Sequence, residues 1–427
     1  MRTVTAQRVG VAVIGTLDTK AEELGFLTEC LDSGGVAPIL INTGILGEPG
    51  LRPDIDAAHV AESAGTTLLE LRTAGDRSVA VDSMARGVAR IVRGLYDSGQ
   101  IRGAICLGGG QGSTIGAAAL HSLPVGAPKL IVSTVAAVVG AGTDIIGIRD
   151  TTLVNSVVDI SGLNSVSRTI IANAAAAMAG MLLRSRNALE DRQAFRVAET
   201  MFGVTTRCAT RVRRRLEEAG HEVLVFAATG IGDRAMEDMI LDGSIGGVVD
   251  ITTSQLGQGV VRGDAPGGPE RLRVAGNMGI PQVASLGGLD IIVCRLDDPL
   301  VGEAQLGHRL FHQHSPMVTV VRPTAVESAR IGKELATRLS TAVGPTAVLI
   351  PKRGFSEYSV VGGPLFDPAA DEALIAGVLD HLGADVMVHE LDTDINDDVF
   401  GDALADTFLA LQPRAVGSAP LMEADTP

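Results

Sequence analysis

The sequence is poor in aromatic residues, with no tryptophan, two tyrosines and nine phenylalanines among its 427 residues. Its four cysteines are far apart and form no CxxC pair, which argues against a zinc ribbon and for a reducing cytosol. An apolar run long enough to span a membrane is also lacking, as is the apolar stretch of a signal peptide near the N-terminus. We therefore expect a cytoplasmic protein without a membrane partner.

Positive charge is scarce, with 35 lysines and arginines against 50 aspartates and glutamates. The formal net charge of −15 opposes the neutralisation of phosphates on which nucleic-acid binding depends, so we expect neither DNA nor RNA as a partner. Hydrophobic residues are abundant at 46%, and there are 52 glycines. This composition favours aliphatic cores with many tight turns, which is typical of buried parallel sheets.

Short β-branched runs alternate with helical patterns along the N-terminal half. Val9–Gly15 predicts a strand that leads into a helix start near Thr19, and Val36–Asn42 repeats the strand signal. Further on, a strand over 102–107, a loop over 108–114 and a helix over 115–121 are expected. An additional strand is predicted over 130–137. Such alternation calls for a parallel sheet with crossover helices.

A charged stretch over 184–196 marks the predicted boundary, which divides the chain into domains 1–190 and 191–427. The strand and helix pattern starts again beyond it, so the sequence predicts an α/β fold with two Rossmann-like domains of mainly parallel sheets flanked by helices. Within the second domain, 257–268 is expected to be a loop. Residues 413–427 have the composition of a frayed tail.

Two glycine-containing loops follow predicted strands, where ligands collect in open α/β sheets. The first contains Gly15, Thr16, Asp18, Thr19 and Lys20. The second contains Gly109, Gly110, Gln111, Gly112, Ser113 and Thr114. Backbone amides, hydroxyls and an ammonium group at helix N-termini suit a phosphate or its metal ion, although neither loop is a Walker A motif. Nucleotide or phosphate binding is therefore the hypothesis, and simple turn formation is the alternative.

A resemblance to a known family extends over nearly the whole length of the chain. It rests on these loops and on two further motifs, Phe202-Gly203-Val204-Thr205-Thr206 and Ile395-Asn396-Asp397. The chain resembles the ATP-binding family named after the tomato mosaic virus resistance protein. The resemblance implies ATP with Mg²⁺ in the N-terminal domain, bound by the loop residues named above, and a homodimer. Two departures concern function: Ala227 and Asp394 occupy positions where the family usually carries histidine.

The leading functional hypothesis is an ATP-dependent enzyme, ligase-like or phosphoryl-transferring, that acts on a small metabolite in the interdomain cleft. The second domain would present the acceptor of the reaction. The residues expected to do so are Thr229, Arg234, Glu237, Asp250, Thr252 and His314. No set of metal-ligating residues is predicted in the chain. The alternative is a non-catalytic, ATP-responsive binding protein, which the missing histidines favour. A nicotinamide-dependent oxidoreductase ranks last, because the strand ending at Asn42 lacks the acidic residue that binds ribose.

Overall fold

A computed structural model describes residues 8–184, 195–262 and 267–412. The chain divides into two compact units, unit 1 over 1–191 and unit 2 over 192–427. The charged stretch in which we predicted the boundary lies almost entirely outside the described residues, and the predicted tail lies wholly outside them. Each unit contains a parallel sheet flanked by helices, so the predicted fold class is confirmed.

Unit 1 is built on one parallel sheet. Its strands are β1 (Val9–Gly15), β2 (Val36–Asn42), β3 (Gly103–Gly108), β4 (Lys129–Ser133) and β5 (Thr152–Asn155). Its helices are α1 (Ala21–Ser33), α2 (Ala57–Ser63), α3 (Leu68–Ala74), α4 (Arg77–Asp97), α5 (Gly110–His121), α6 (Ala141–Ile146) and α7 (Ser165–Arg184). The strand order is β2-β1-β3-β4-β5. From β1 the chain first adds β2 on one side, and it then adds β3, β4 and β5 on the other side, so the direction in which strands are added reverses between β1 and β3.

Both faces of this sheet are covered, which explains why its strands are continuously apolar. On β1, Ala12 and Ile14 face one core with residues of α4 and α5. Val11 and Val13 face a second core with residues of α1 and α7. Gly15 ends the strand where a Cβ atom would lie 2.6 Å from Leu24 Cδ1, so a larger residue would require the Leu24 side chain of α1 to move.

Unit 2 contains a parallel sheet and a smaller antiparallel one. The strands are β6 (Arg196–Met201), β7 (Glu222–Ala227), β8 (Gly247–Thr252), β9 (Gln282–Gly287), β10 (Ile292–Arg295), β11 (Phe311–Ser315), β12 (Val318–Val321), β13 (Thr346–Pro351) and β14 (Met387–Leu391). The helices are α8 (Thr206–Glu218), α9 (Ile231–Leu241), α10 (Ser254–Arg262), α11 (Val274–Asn277), α12 (Pro299–Gln305), α13 (Ala325–Leu339), α14 (Pro368–Leu379) and α15 (Asp398–Leu411).

The parallel sheet of unit 2 has the order β14-β13-β9-β8-β6-β7, and β10-β12-β11 form the antiparallel sheet. When the parallel strands of each unit are numbered in chain order, their order in the sheet begins 2-1-3-4 in both units. The reversal therefore falls between β6 and β8. In open α/β sheets ligands bind beyond the carboxyl ends of the strands at such a reversal, which we call the switch point.

Three local predictions are wrong. The loop expected over 108–114 is mostly helix, because α5 begins at Gly110. The loop expected over 257–268 begins as helix α10, whose sequence combines small residues with a strong apolar face. The strand expected over 130–137 ends at Ser133. The antiparallel sheet was not predicted as a unit, because β11 is polar and two of its three strands are only four residues long.

Helix α7 is the one helix in the described part of the chain that is long and apolar enough to cross a membrane by length and composition. The expectation that no segment reaches this length is therefore wrong for α7. A core helix of a soluble protein passes the same test, and α7 buries Ile171, Met178 and Leu182 in a core of unit 1.

Candidate functional site

The switch point of unit 1 contains a cavity of about 890 Å³. Because β1 and β3 are neighbours in the sheet, the two glycine-containing segments that follow them meet at this point. Both segments line the cavity, together with residues that follow β2 and residues of α3 and α4. The lining residues are Thr16, Asp18, Thr19, Thr43, Gly44, Ile45, Leu46, Leu71, Arg72, Gly75, Asp76, Arg77, Ala80, Val81, Met84, Gly109, Gly110, Gln111, Gly112 and Ile115.

The loop after β1 is held in place by the side chain of Asn42 at the end of β2 and by its own Asp18. The Asn42 side-chain oxygen accepts hydrogen bonds from the Leu17 and Gly44 backbone N–H groups at 3.0 and 2.9 Å. Asp18 Oδ2 accepts from the Leu46 N–H at 2.8 Å, and a Cβ atom on Gly44 would lie 2.3 Å from Asp18 Oδ1. Asn42 thus shapes the loop, a role that its position at the end of β2 explains.

The segment after β3 offers the free N-terminus of a helix. Gly109 is the N-cap of α5 and has no side chain to cap it, and the first helical hydrogen bond runs from Ser113 N–H to Gly109 O at 2.8 Å. The N–H groups of Gly110, Gln111 and Gly112 precede that bond and have no acceptor within the helix. An uncapped helix N-terminus that lines a cavity is an anion-binding arrangement.

The cavity brings together most of the residues predicted to bind nucleotide. Those that line it are Thr16, Asp18, Thr19, Gly109, Gly110, Gln111 and Gly112. Four others are placed elsewhere. Gly15 packs against α1, as described above. Ser113 is buried and its hydroxyl is 2.7 Å from that of Ser133, while the Thr114 hydroxyl donates to Gly110 O within the helix.

Lys20 is the most informative of these four. Its ammonium group donates a hydrogen bond to Ile160 O in the loop between β5 and α7. Glu23, one helical turn later, accepts from Gly162 N–H in the same loop at 2.6 Å. Lys20 therefore fastens a neighbouring loop to α1, and the expectation that it belongs to the phosphate-binding set is not supported by its position.

Sequence reasoning missed the positive charge of the cavity, which comes from Arg72 and Arg77. Both follow the long polar stretch between β2 and α4 and have no motif around them. The available signals were the helix caps: Thr67 forms a capping box with Glu70, and Asp76 accepts from two N–H groups at the start of α4. These caps mark the starts of α3 and α4, and Arg72 and Arg77 of those helices line the cavity.

The opposite wall of the cavity is apolar. It is formed by Ile45, Leu71, Val81, Met84 and Ile115, which lie on or near β2, α3, α4 and α5. One cavity therefore combines uncapped backbone N–H groups and two arginines with an aliphatic surface. Such a combination suits a ligand with an anionic end and an apolar, planar or aliphatic body.

Of the six residues of unit 2 that were expected to act together, Glu237, Asp250 and Thr252 lie around one arginine, and the other three make no hydrogen bond to them among the described residues. Asp250 and Glu237 lie close to one buried arginine, Arg271, which the sequence did not single out. Thr252 is fully buried, and its hydroxyl is 2.7 Å from that of Thr205. His314 lies on β11, where its Nδ1 is 2.9 Å from the Tyr358 hydroxyl.

The last two of the six, Thr229 and Arg234, lie around the start of α9. Both are exposed, and the guanidinium of Arg234 donates to Gly230 O at 3.1 Å. Neither side chain has a hydrogen bond to the other expected residues among those that the structure describes. The assignment of these six residues to one acceptor site therefore stays a prediction.

Arg271 lies in a buried cluster of charged residues that includes Asp233, Glu237 and Asp250. Arg271 is 1% exposed and makes a two-pronged ion pair with Asp250 at the end of β8, and Asp250 also accepts from the Thr200 hydroxyl at 2.8 Å. Burial raises the pKa of Asp233 to about 6 and that of Glu237 to about 7, although the charge of Arg271 opposes both shifts. Glu237 is consequently about half protonated at neutral pH, whereas Asp233 takes up its proton about one pH unit lower.

The two positions at which histidine is expected in the family occupy loop ends. Ala227 ends β7, and its carbonyl oxygen would lie 2.2 Å from a Cβ atom on Gly232. Asp394 accepts from the Asn396 N–H at 2.8 Å, and Asn396 in turn bonds the backbone of Cys208 and Val204. Asp394 therefore has a structural partner in a tight turn.

Family models match both units. The N-terminal domain model of the uncharacterised protein family UPF0261 matches residues 9–187, and its C-terminal domain model matches residues 194–412. A UPF0261 protein of Clostridium tetani is 38% identical over 405 residues, which cover 95% of this chain and 99% of that protein.

The similarity extends to plants. The ToMV resistance protein Tm-1(GCR237) of Solanum lycopersicum is 34% identical over 437 residues, and the ToMV susceptible protein tm-1(GCR26) of the same species is 33% identical. The aligned region covers 97% of this chain but 57% of each tomato protein. Since the two domain models and these relatives account for nearly the whole length, the chain belongs to the UPF0261 family.

Proposed function

We propose that unit 1 binds ATP together with Mg²⁺ in the cavity at its switch point. The observation that carries this proposal is the meeting of the β1 loop with the uncapped N-terminus of α5 in one cavity. A volume of about 890 Å³ is in the range of pockets for cofactors and similar ligands. The family resemblance supplies the identity of the nucleotide, and the geometry supports a ligand of that kind.

The chemistry of the cavity fits the parts of a nucleotide. The free N–H groups of Gly110, Gln111 and Gly112 suit phosphate oxygens, and Arg72 and Arg77 add positive charge at the same cavity. The aliphatic wall suits the faces of a base. A nucleotide in this position would bury its phosphates against backbone dipoles, which do not need to rearrange on binding.

The carboxyl groups of the cavity fit a magnesium ion that is bound mainly through phosphate. Asp18 and Asp76 line the cavity, and Asp18 Oδ1 is buried without a hydrogen-bond partner among the described residues. No group of three or more His, Cys, Asp or Glu residues in the described ranges could hold a metal alone. Mg²⁺ is typically held by one or two carboxylates and substrate phosphates, so Asp18 is the expected protein ligand.

The proposal concerns ATP binding and not a reaction. Three of the six residues expected to bind the acceptor lie around Arg271 in unit 2 and three do not, so the described residues of that unit do not favour phosphoryl transfer over the non-catalytic alternative. Measurement of ATP hydrolysis with and without candidate acceptors separates those two possibilities once binding is established.

The decisive binding experiment is calorimetry with ATP, ADP, NAD and NADP, each with and without Mg²⁺. The test variant is Gly112→Val. Gly112 lies in the first turn of α5, and a Cβ atom there would meet no atom within 4 Å, so a side chain is accommodated and extends into the open cavity. We expect Mg²⁺-ATP to bind the unaltered protein, and we expect the variant to lose at least tenfold in affinity because valine would occupy the anion position.

Gly94→Val is the matched control. Gly94 is an exposed glycine of α4 at which a Cβ atom also meets nothing within 4 Å, and it does not line the cavity. Both variants should unfold at similar temperatures, since both place valine at a helical position where a Cβ atom meets no atom within 4 Å. Equal ATP affinity of the Gly112→Val and Gly94→Val proteins, or stabilisation by NAD as large as that by ATP, would overturn the proposal.

A further inference from the structure

Unit 2 contains a second cavity, of about 210 Å³, beside the Arg271 cluster. It lies between α10, the segment 267–271 and α13. Its lining residues are Gln255, Leu256, Gly259, Val260, Gly267, Gly268, Arg271, Glu334 and Arg338. At ~30 Å³ per water molecule the cavity has the volume of about seven waters, which is the size of a small metabolite or of one end of a larger one.

Two side chains that line this cavity are buried but incompletely hydrogen-bonded. Gln255 is 3% exposed, and neither atom of its amide group has a partner among the described residues. Arg271 uses Nη1 and Nη2 to bind Asp250, whereas its Nε–H has no partner there either. Buried amide and guanidinium groups are normally satisfied, because each one left unpaired destabilises the folded state.

Other polar groups at the cavity are already engaged. Arg338 donates to Glu334 at 2.8 Å and to the backbone oxygens of Pro269 and Arg271 at 3.3 and 3.1 Å. The charges of Arg271 and Arg338 are thus balanced by Asp250 and Glu334. The free hydrogen-bonding capacity of the cavity therefore resides in Gln255 and in one N–H group of Arg271, without a net charge to attract an anion.

The free groups present two kinds of donor and one acceptor. The Gln255 amide supplies both N–H groups and an oxygen, and this holds whichever way its oxygen and nitrogen are assigned, since both atoms lack partners. The Arg271 Nε–H adds a second donor. The complement is a planar, uncharged group with a carbonyl oxygen beside an N–H, and the side chains of Leu256 and Val260 suit an apolar chain attached to it.

We propose that this cavity is a binding site for the carboxamide end of a small molecule, with Gln255 and Arg271 as the recognising side chains. The carboxamide oxygen accepts from Arg271 Nε–H and from the Gln255 amide nitrogen. Its N–H₂ group donates to the Gln255 amide oxygen. Asp250 positions Arg271 by holding its other two nitrogens, which leaves Nε–H as the unpaired donor of this side chain among the described residues.

Ligand-observed NMR on the full chain tests the proposal with butyramide as the probe and sodium butyrate as its charged counterpart. The test variant is Gln255→Leu, which keeps the size of the side chain but removes the amide. The control variant is Gln258→Leu on the same helix, because Gln258 is also buried but does not line the cavity. We expect butyramide to bind the unaltered protein and the control, and to bind Gln255→Leu at least tenfold more weakly.

Stability distinguishes loss of a binding group from loss of the fold. An amide that lacks partners destabilises the folded protein, so the melting temperature of Gln255→Leu should equal or exceed that of the unaltered chain. Tighter binding of butyrate than of butyramide would overturn the carboxamide assignment. Absence of butyramide binding to the unaltered protein, or equal binding to Gln255→Leu and Gln258→Leu, would overturn the site itself.

Discussion

The two units use the same strand order at their switch points but fill them differently. In unit 1 the strands β1 and β3 end in Gly15 and Gly108, and an open cavity is lined by the β1 loop and the N-terminus of α5. In unit 2 the strands β6 and β8 carry Thr200 and Asp250, whose side chains bond across the switch point, and Arg271 packs against them. The same topology thus supports either a binding cavity or a buried polar network, depending on the side chains at the strand ends.

The difference concerns which groups need a partner from outside the fold. In unit 1 the free groups are backbone N–H groups at an accessible helix end, which water or a ligand satisfies. In unit 2 the ion pair between Arg271 and Asp250 fills the switch point, and the groups that lack a partner in the described ranges include buried side-chain atoms of Asp233, Glu237, Gln255 and Arg271. Unit 2 should therefore depend on its charged cluster for stability, whereas unit 1 should tolerate changes at its switch point.

The largest expected effect comes from Arg271→Met, which removes the cation from the unit 2 cluster. Asp250 would then be buried without its ion-pair partner, close to Asp233 and Glu237. Loss of one member of a buried ion pair destabilises a protein by about 3 to 5 kcal/mol. Urea denaturation should show this loss in the unit 2 transition. A loss below about 1 kcal/mol would mean that the cluster contributes little to the fold.

The next effect is a dependence of unit 2 stability on pH. The pKa values of Asp233 and Glu237, about 6 and about 7, are raised by burial above their values in the unfolded chain. The folded state therefore binds more protons than the unfolded state between these values and about pH 4. Stability should be highest at low pH in this window and should fall as the pH rises through 7, by on the order of 2 to 4 kcal/mol.

Chemical denaturation at pH 5 and pH 8 measures this dependence, with Glu237→Gln as the informative variant. Glutamine cannot ionise, so the stability of unit 2 in this variant should differ less between pH 5 and pH 8 than it does in the unaltered protein. A transition that becomes more stable at pH 8 would contradict the direction expected from these two carboxyl groups. Burial also raises the pKa of Glu199, to about 8, so Glu199 lowers stability in the same direction as the pH rises.

The smallest expected effect is on nucleotide affinity in unit 1. Arg77 is exposed at the cavity, so its attraction for phosphate is weakened by solvent and salt. Arg77→Gln should weaken Mg²⁺-ATP binding by a few-fold at low salt and less at high salt. Arg86→Gln serves as the control, because Arg86 lies on the same helix but pairs with Asp82 away from the cavity. Calorimetry at two salt concentrations makes the comparison.

Much of the fold was predictable because its signals are local. An apolar run ending in glycine located β1 to the residue, and a second apolar run ending in Asn42 located β2. The errors arose where local signals were ambiguous. Four glycines in seven residues suggested a loop over 108–114, but α5 begins among them because its first turn needs no side-chain cap and later residues pack on the sheet.

The sequence by itself determined the fold class, the family membership and the position of two glycine-containing segments at strand ends. These features depend on residue types within short windows, where periodicity and turn chemistry act. They were enough to indicate that the two segments follow adjacent strands, and the pairing of β1 with β3 confirms that adjacency.

Only the tertiary structure decided which side chains meet. Lys20 turned away from the cavity to Ile160, 140 residues later, while Arg72 and Arg77 reached the cavity from helices that carry no motif. Arg271 met Asp250 because a segment between α10 and α11 folds back over the end of β8. Such pairings depend on the order of strands and the packing of helices, which no short window of sequence encodes.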